Sequence, residues 1–415
     1  MLDVDAALAL IREGLHCGPV ESLAPRAALE RVLAQAVHSG EDLPPFDNAA
    51  MDGYALPLGA RTARAGEEFP VYGEQAAGDA ARAARTACAI MTGARLPEGL
   101  DAVVPVEQVR VLATDAQGCV ERIALTADVA PGQHRRRRGE DIGRGELALP
   151  AGCRIGPAQL ALLAGMGCAT VGVVQAPRLA LLCTGRELVD DTARPLGSAE
   201  IRNSNGPYLA AAIAAAGAAL LREATLPDEP AALHAAVTDA VAAGAQLVLS
   251  TGAVSAGRYD FVPDVLRALQ ADIVFHKLRL RPGKPLLFAR LPGGTLYFGL
   301  PGNPASCAVG FRFFVCAALR ALLGLDAERP WRLPLLQDTD KKAGFTHYQK
   351  ASLAFDSNGR AGVRLLQGQE SFKLRSLAQA QGWAVLPAAA QRLPAGTLVD
   401  FHGNAHWGLQ LDTPS

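Results

Sequence analysis

The sequence has no C-x-x-C pair; its eight cysteines, at positions 17, 88, 119, 153, 168, 183, 307 and 316, are scattered. In a chain of 415 residues that pattern argues against a disulfide scaffold and fits reduced, mostly buried thiols in a cytoplasmic protein. Histidines show no metal-ligand spacing and G-x-S-x-G does not occur, which argues against zinc and serine-hydrolase chemistry. A formal net charge of −1 leaves no broad basic surface for nucleic acid. The longest apolar stretch, Tyr208 to Leu221, is about 14 residues, too short to cross a bilayer. The opening Met1-Leu2-Asp3-Val4-Asp5 is acidic and unlike a signal peptide. No fixed-period repeat is visible.

What is present is a globular composition, 50% apolar and 20% charged, long enough for two to four domains at roughly 100–200 residues each. Apolar spacing predicts helices over 3–14 and, behind Ser22 as a cap, over 22–38. Short β-prone runs at Phe69–Tyr72, Ala102–Val106, Val109–Ala113 and Val120–Leu125 predict a mainly β module over 56–133. A helix is expected over 157–166. From Pro177 strands and helices alternate: strands at Arg178–Cys183, Gln246–Ser250 and Leu296–Leu300, and helices at Asn205–Gly217, Ala231–Ala243, Phe261–Leu269 and Pro304–Leu323. That rhythm predicts an α/β domain over 178–325 whose parallel sheet is covered on both sides. Residues 331–412 read as a small C-terminal β-barrel or sandwich.

The candidate chemistry lies in loops. Pro44-Pro45-Phe46-Asp47-Asn48-Ala49-Ala50-Met51-Asp52-Gly53-Tyr54-Ala55 is punctuated as turns yet carries Phe, Met and Tyr; it is either a packed domain joint or a structured loop presenting carboxylates. Three further loops follow strands: Cys183-Thr184-Gly185-Arg186-Glu187-Leu188, Ser250–Asp260 and Gly299-Leu300-Pro301-Gly302-Asn303-Pro304-Ala305-Ser306. In an open parallel sheet ligands bind beyond the carboxyl ends of strands. Small side chains there let backbone N–H groups approach phosphate, although each loop alone also reads as a plain strand-to-helix turn. Alternation places Lys277, Arg279 and Arg281 on one face of a strand before Pro282-Gly283-Lys284, as an anion site or as a solvated edge. Asp52, Asp141, Glu187 and Asp260 sit in Gly-flanked loops and Asp228 opens a candidate helix. Such carboxylates suit Mg²⁺ beside a phosphate; a single Asp in a turn also serves as a cap. Arg135–Arg138 reads as a solvated face or as pairing with Glu140 and Asp141.

Together these segments resemble the molybdopterin molybdenumtransferase family, the molybdenum-insertion enzymes related to the E domain of gephyrin. The Phe46–Ala55 loop is similar to F-D-N-S-A-M-D-G-Y-A with Ala49 for Ser. Met91–Gly99 is similar to M-T-G-A-x-x-P-x-G, and Arg136–Asp141 to R-R-x-G-E-D. The Thr184 loop, the Ser250 loop, Arg281–Pro285 and Gly299–Ser306 follow in order, so the resemblance covers most of the chain.

The resemblance implies a multidomain α/β and β fold: a composite linker and dimerisation domain from 1–55 and 134–177, with helix 22–38 packing near the β module; the β module 56–133; a molybdopterin-binding α/β domain 178–325; and a C-terminal β-barrel 331–412. It implies a homodimer with an inter-subunit site and a Mg²⁺-dependent reaction of adenylylated molybdopterin with molybdate that releases AMP. In that reading Asp52, Asp141, Glu187, Asp260 and Lys277 are catalytic. Thr92, Thr184, Gly185, Ser250, Gly252, Ser255, Arg281, Lys284, Pro301, Gly302, Asn303 and Ser306 bind pterin or nucleotide. Glu187, Asp228 and Asp260 are the metal candidates, and Lys350 and Ser371 the oxyanion candidates. A molybdopterin adenylyltransferase and molybdoenzyme chaperones are candidate partners; nucleic acid and membrane are not. Alternatives are a molybdopterin-binding scaffold without turnover and a molybdopterin adenylyltransferase. The chain departs from the family pattern at Arg186, at Ala253, at Gly344–Lys350, which lacks the first Arg and has Lys350 for the second, and at Arg375. These departures leave the choice between molybdate and tungstate open.

Overall fold

The computed structural model describes residues 1–254 and 261–407, which divide into two compact units: Ser22–Val173, and Met1–Glu21 with Val174–Ser415.

Within Ser22–Val173 a six-stranded sheet runs in the order Ala102–Pro105, Gly53–Leu56, Ala87–Ile90, Glu68–Gln75, Val120–Leu125, Val109–Thr114. Tyr54, Leu56, Phe69, Val71, Val104, Ile123 and Leu125 bury its core. The expected β module therefore begins at Gly53, inside the Pro44–Ala55 loop. Glycine is required there by close approach, because a Cβ would lie 1.9 Å from Val104 O. A second core gathers Ala28, Leu33, Leu149, Cys153, Ile155, Leu163 and Val173 beneath the helix Pro157–Gly165.

The helix expected over 22–38 is absent. A single i to i−4 bond forms, Ala28 N–H to Ala24 O at 3.1 Å, beside shorter turns closed by Ala27 N–H to Ala24 O and Arg31 N–H to Ala28 O. The N–H groups of Glu30, Leu33 and Ala34 then donate to Ile155, Cys153 and Gly172. The backbone is satisfied by distant strands rather than by itself, so local apolar spacing misleads here.

In the second unit the α/β sheet has the order Ala219–Leu226, Arg178–Thr184, Leu247–Thr251, Leu296–Leu300, Leu287–Arg290, Asp272–His276. The first four strands are parallel, Leu287–Arg290 runs against them, and Asp272–His276, antiparallel to that strand, runs with the first four, so the sheet is mixed rather than wholly parallel. Side-chain alternation buries both faces. Leu179, Leu181 and Cys183 pack with Leu209, Ile213 and Phe314, while Ala180 and Leu182 pack with Leu233, Val237 and Val262. The helix Val4–Arg12 adds Val4, Ala7 and Ile11 to the first of these cores, so residues 1–21 group here and not with 22–55. Helical residues Pro304–Leu322 are long and apolar enough to span a membrane, but 78% of that window is buried inside the fold, as befits a core helix.

The run 277–285 is not one strand. Lys277 adopts a left-handed φ of 75°, which separates Asp272–His276 from the two-residue strand Leu280–Arg281. Burial still alternates, with Leu278 and Leu280 inside and Arg279 and Arg281 exposed. Beyond Pro330 a further sheet runs Leu280–Arg281, Thr346–Phe355, Gly382–Leu386, Leu398–Gly403, Trp331–Pro334, with Ala361–Leu365 also on Thr346–Phe355. A bridge from Leu335 to Val363 joins its far end back to that branch.

Candidate active site

In this sheet Ala219–Leu226 lies on one side of Arg178–Thr184 and Leu247–Thr251 on the other. The chain leaving Arg178–Thr184 returns as Ala219–Leu226 and the chain leaving Leu247–Thr251 returns on the opposite side as Asp272–His276, so the two connections diverge and open a crevice at the strand ends, where open α/β sheets bind ligands. The cavity there measures about 690 Å³ and is lined by Thr184, Glu187, Leu188, Asn203, Ser204, Asn205, Thr251, Gly252, Gly302, Asn303 and Pro304, with Phe372 and Leu374 at its rim.

Thr184 is locked by its hydroxyl, which donates to Thr251 O at 2.9 Å. Gly252 has a φ of +90°, and a Cβ on it would meet Thr184 O at 2.6 Å. Its N–H is spent on Leu300 O at 3.1 Å. The glycine is needed so that the two strand-end loops can touch, and its own amide is not offered to a phosphate. Two helix starts face the cavity instead: Ser204-Asn205 at Asn205–Ala215 and Asn303-Pro304 at the helix from Pro304. Helix N-termini carry partial positive charge. Asn205 Nδ2 ties the two together through Gly302 O at 2.7 Å, and Asn203 Oδ1 accepts from Gly206 N at 2.9 Å. The sequence reading missed Asn203, Ser204 and Asn205; an Asn-Ser-Asn cluster before an apolar helix is a cap signal that could have found them.

Of the expected site residues, Thr184, Glu187, Gly252, Gly302 and Asn303 line this cavity, and buried Gly185 adjoins it by its N–H to Leu226 O at 3.2 Å. Asp228 is not among the lining residues; it accepts the N–H of Arg186, the residue before Glu187, at 3.2 Å. The contact uses the backbone of Arg186, so the departure in its side chain leaves it intact. Ser250 is fully buried and accepts from Tyr297 OH at 2.7 Å; Pro301 and Ser306 are buried too. These three pack the strand end and are not among the lining residues. Ser255 and Asp260 lie outside the described residues. Ala253 has a left-handed φ of 50°, a conformation glycine adopts without strain.

Lys277 is half-buried, Arg281 and Lys284 are exposed, and the Arg281 guanidinium lies 4.7 Å from the ring centre of Phe345. Lys350, an expected oxyanion ligand, is 1% exposed. Its ammonium donates to Gly368 O at 2.7 Å, Glu370 O at 3.2 Å and Ser376 Oγ at 2.8 Å. All three donors are committed to the 368–376 segment, so Lys350 is a staple for that segment. Ser371 sits on it, and its carbonyl accepts Ala305 N–H at 2.9 Å.

In the other unit Asp52 accepts the Thr92 N–H at 2.6 Å. That bond and one from the Thr92 side chain lower the Asp52 pKa, so the carboxylate is ionised at neutral pH. Asn48–Ala49 pairs with Arg135–Arg136. Arg135 pairs with Asp47 and Arg138 with Asp42 at 2.5 Å, so two of the four arginines pair with 42 and 47 rather than with 140 and 141. Asp141 is exposed and its N–H donates to Leu43 O at 3.0 Å.

Among the described residues no group of three or more His, Cys, Asp or Glu could hold a metal by itself. Mg²⁺ commonly takes one or two carboxylates with substrate phosphates and waters; Glu187 lines the crevice, and Asp228 is bonded to the neighbouring residue, Arg186.

Fold and crevice define a multidomain protein built around a molybdopterin-binding α/β domain. Residues 2–167 match the MoeA N-terminal region (domain I and II), 180–321 a probable molybdopterin binding domain, and 332–402 the MoeA C-terminal region (domain IV). The chain is 36% identical over 379 residues to the molybdopterin molybdenumtransferase of Synechococcus elongatus, covering 89% of this chain and 91% of that one. It is 32% identical over 409 residues to that of Bacillus subtilis, covering 96% and 93%. The solved molybdopterin biosynthesis MoeA protein of Pyrococcus horikoshii OT3 shares 25% identity and a TM-score of 0.77, covering 97% of this chain and 99% of that one. The chain belongs to the molybdopterin molybdenumtransferase family, whose members act in molybdenum cofactor biosynthesis.

Proposed function

We propose that this enzyme inserts molybdate into adenylylated molybdopterin, with Mg²⁺ required and AMP released. The observation that carries this reading is the crevice at the strand-order reversal, where two helix starts and a hydroxyl-rich floor meet beside Glu187 and Asp228. In this mechanism the crevice binds the pterin phosphate and nucleotide. Asn205 and Gly302, tied together at 2.7 Å, keep the two helix starts aimed at the same anion. An oxygen nucleophile attacks phosphorus, the anhydride P–O bond breaks, and its electron pair leaves on the departing phosphate of AMP. Lys277 and Arg281 stabilise charge developing there. Glu187 and Asp228, with Asp260, would hold Mg²⁺, which supplies neutralisation of phosphate charge. The ionised Asp52, fixed by Thr92, and Asp141 complete the site from a second copy in a homodimer. Eight unpaired thiols suit a cytoplasmic setting, where an adenylyltransferase supplies the substrate and chaperones of molybdoenzymes accept the product.

The test is AMP release by the purified chain given adenylylated molybdopterin, Mg²⁺ and either molybdate or tungstate. Asp52→Ala should lose at least about a hundredfold in rate with an unchanged circular dichroism spectrum. Wild-type turnover in Asp52→Ala refutes the role of Asp52. Tight substrate binding with no AMP release by the wild type would favour a scaffold instead.

A further inference from the structure

Phe372 is 64% exposed. Single exposed apolar side chains are ordinary and need no explanation; this one is distinguished by where it sits and by how its loop is held. It lies at the rim of the 690 Å³ crevice and is the one aromatic residue among the described lining residues. The loop beneath it is clamped from both sides. Lys350 donates to Gly368 O and Glu370 O, and Gln369 Nε2 donates to Lys350 O at 2.8 Å and Leu366 O at 2.9 Å. Immediately before Phe372, the Ser371 carbonyl accepts Ala305 N–H at 2.9 Å, on the same helix whose first residue, Pro304, lines the crevice. The backbone that carries this ring at the crevice is thus pre-ordered, at low entropic cost to any ligand that meets it.

Resting on the reading of the crevice as the substrate site, we propose that Phe372 is a stacking platform for the planar heteroaromatic ring of the substrate, adenine or pterin. The polar floor meets phosphate and ring edges. Phe372 covers a ring face that no hydrogen bond can satisfy, in the offset geometry aromatic pairs prefer. It acts as a positioning residue: it sets where the ring lies and takes no part in bond breaking.

Titration calorimetry of the full chain with AMP, pterin and ribose 5-phosphate tests this. For whichever ring-bearing probe stacks, Phe372→Ala should weaken binding about tenfold, equivalent to about 1.4 kcal/mol. Phe372→Trp should keep wild-type affinity, and ribose 5-phosphate should bind all three proteins alike. In turnover Phe372→Ala should raise KM while kcat stays within about twofold, which is the signature of lost uniform binding. AMP and pterin affinities both unchanged in Phe372→Ala overturn the proposal, as does an equal loss for ribose 5-phosphate. A wild-type chain that binds none of the probes overturns the crevice reading itself, and the stacking role falls with it.

Discussion

Gly53 offers the sharpest perturbation, because its neighbours are backbone atoms that cannot rotate away. It pairs with Ile90 on one side and Pro105 on the other. A Cβ would sit 1.9 Å from Val104 O, 2.8 Å from Val104 C and 2.9 Å from Pro105 Cα, where real Cβ atoms essentially never come under 3.0 Å. Opening the gap from 1.9 to 3.0 Å needs a strand displacement of about 1 Å. Overpacking a side chain into a core costs about 1–3 kcal/mol, and here a whole strand must move, so Gly53→Ala should cost about 3 kcal/mol or more. For a unit of this size that is about 6–12 °C in melting temperature. AMP release should fall with it, since Asp52 is the preceding residue and its carbonyl accepts the Val106 N–H at 3.3 Å. Thermal and urea denaturation read the first effect and AMP chromatography the second. A Gly53→Ala chain within about 0.5 kcal/mol of wild type would refute the close-approach argument.

Two further outcomes follow from buried charge. Lys350→Met removes the ammonium that donates to Gly368 O, Glu370 O and Ser376 Oγ, leaving Gly368 O to the Ser376 hydroxyl at 2.6 Å and Glu370 O to the Lys373 N–H at 3.2 Å, and should destabilise the chain by about 1–3 kcal/mol, measured by urea denaturation. Wild-type stability with a raised molybdate requirement would instead restore Lys350 as an oxyanion ligand. His406 lies against Ala216 O at 3.1 Å, and burial pushes its pKa down to about 4, against about 6.5 unfolded. The native state holds it neutral, so the unfolded chain binds the proton first. Stability is full above about pH 6.5 and falls as pH drops toward 4, by about 3 kcal/mol at most. His406→Gln should flatten that acid slope in urea midpoints taken between neutral pH and about 4; an unchanged slope would refute the assignment.

Much of the fold was legible because it is written in local pattern. The run Leu179–Cys183 is buried and apolar and the Leu296–Leu300 strand nearly so, as strands covered on both faces tend to be. The strand-end loops announced themselves by Gly and small hydroxyl residues. Where the sequence reading failed, distant partners decided. Residues 22–38 have helical spacing, yet their N–H groups are taken by Ile155, Cys153 and Gly172. Lys350 and Ser250 looked like ligands by residue type, yet the fold commits the first to three oxygens of one segment and the second to Tyr297.

By itself, then, the sequence determined part of the strand set, among it Arg178–Thr184, Leu247–Thr251 and Leu296–Leu300, which loops hold the candidate chemistry, and which family the motifs belong to. Period, turn chemistry and motif are properties of neighbouring residues. Only the tertiary structure decided which of those residues are free to meet a ligand. Whether a donor is spent is set by atoms far away in the chain: by Leu300 for the Gly252 amide, by Gly368 for Lys350. It likewise brought Asn203–Asn205 and Phe372 to one crevice, because the strand order, which no local pattern encodes, opens the sheet where these segments converge.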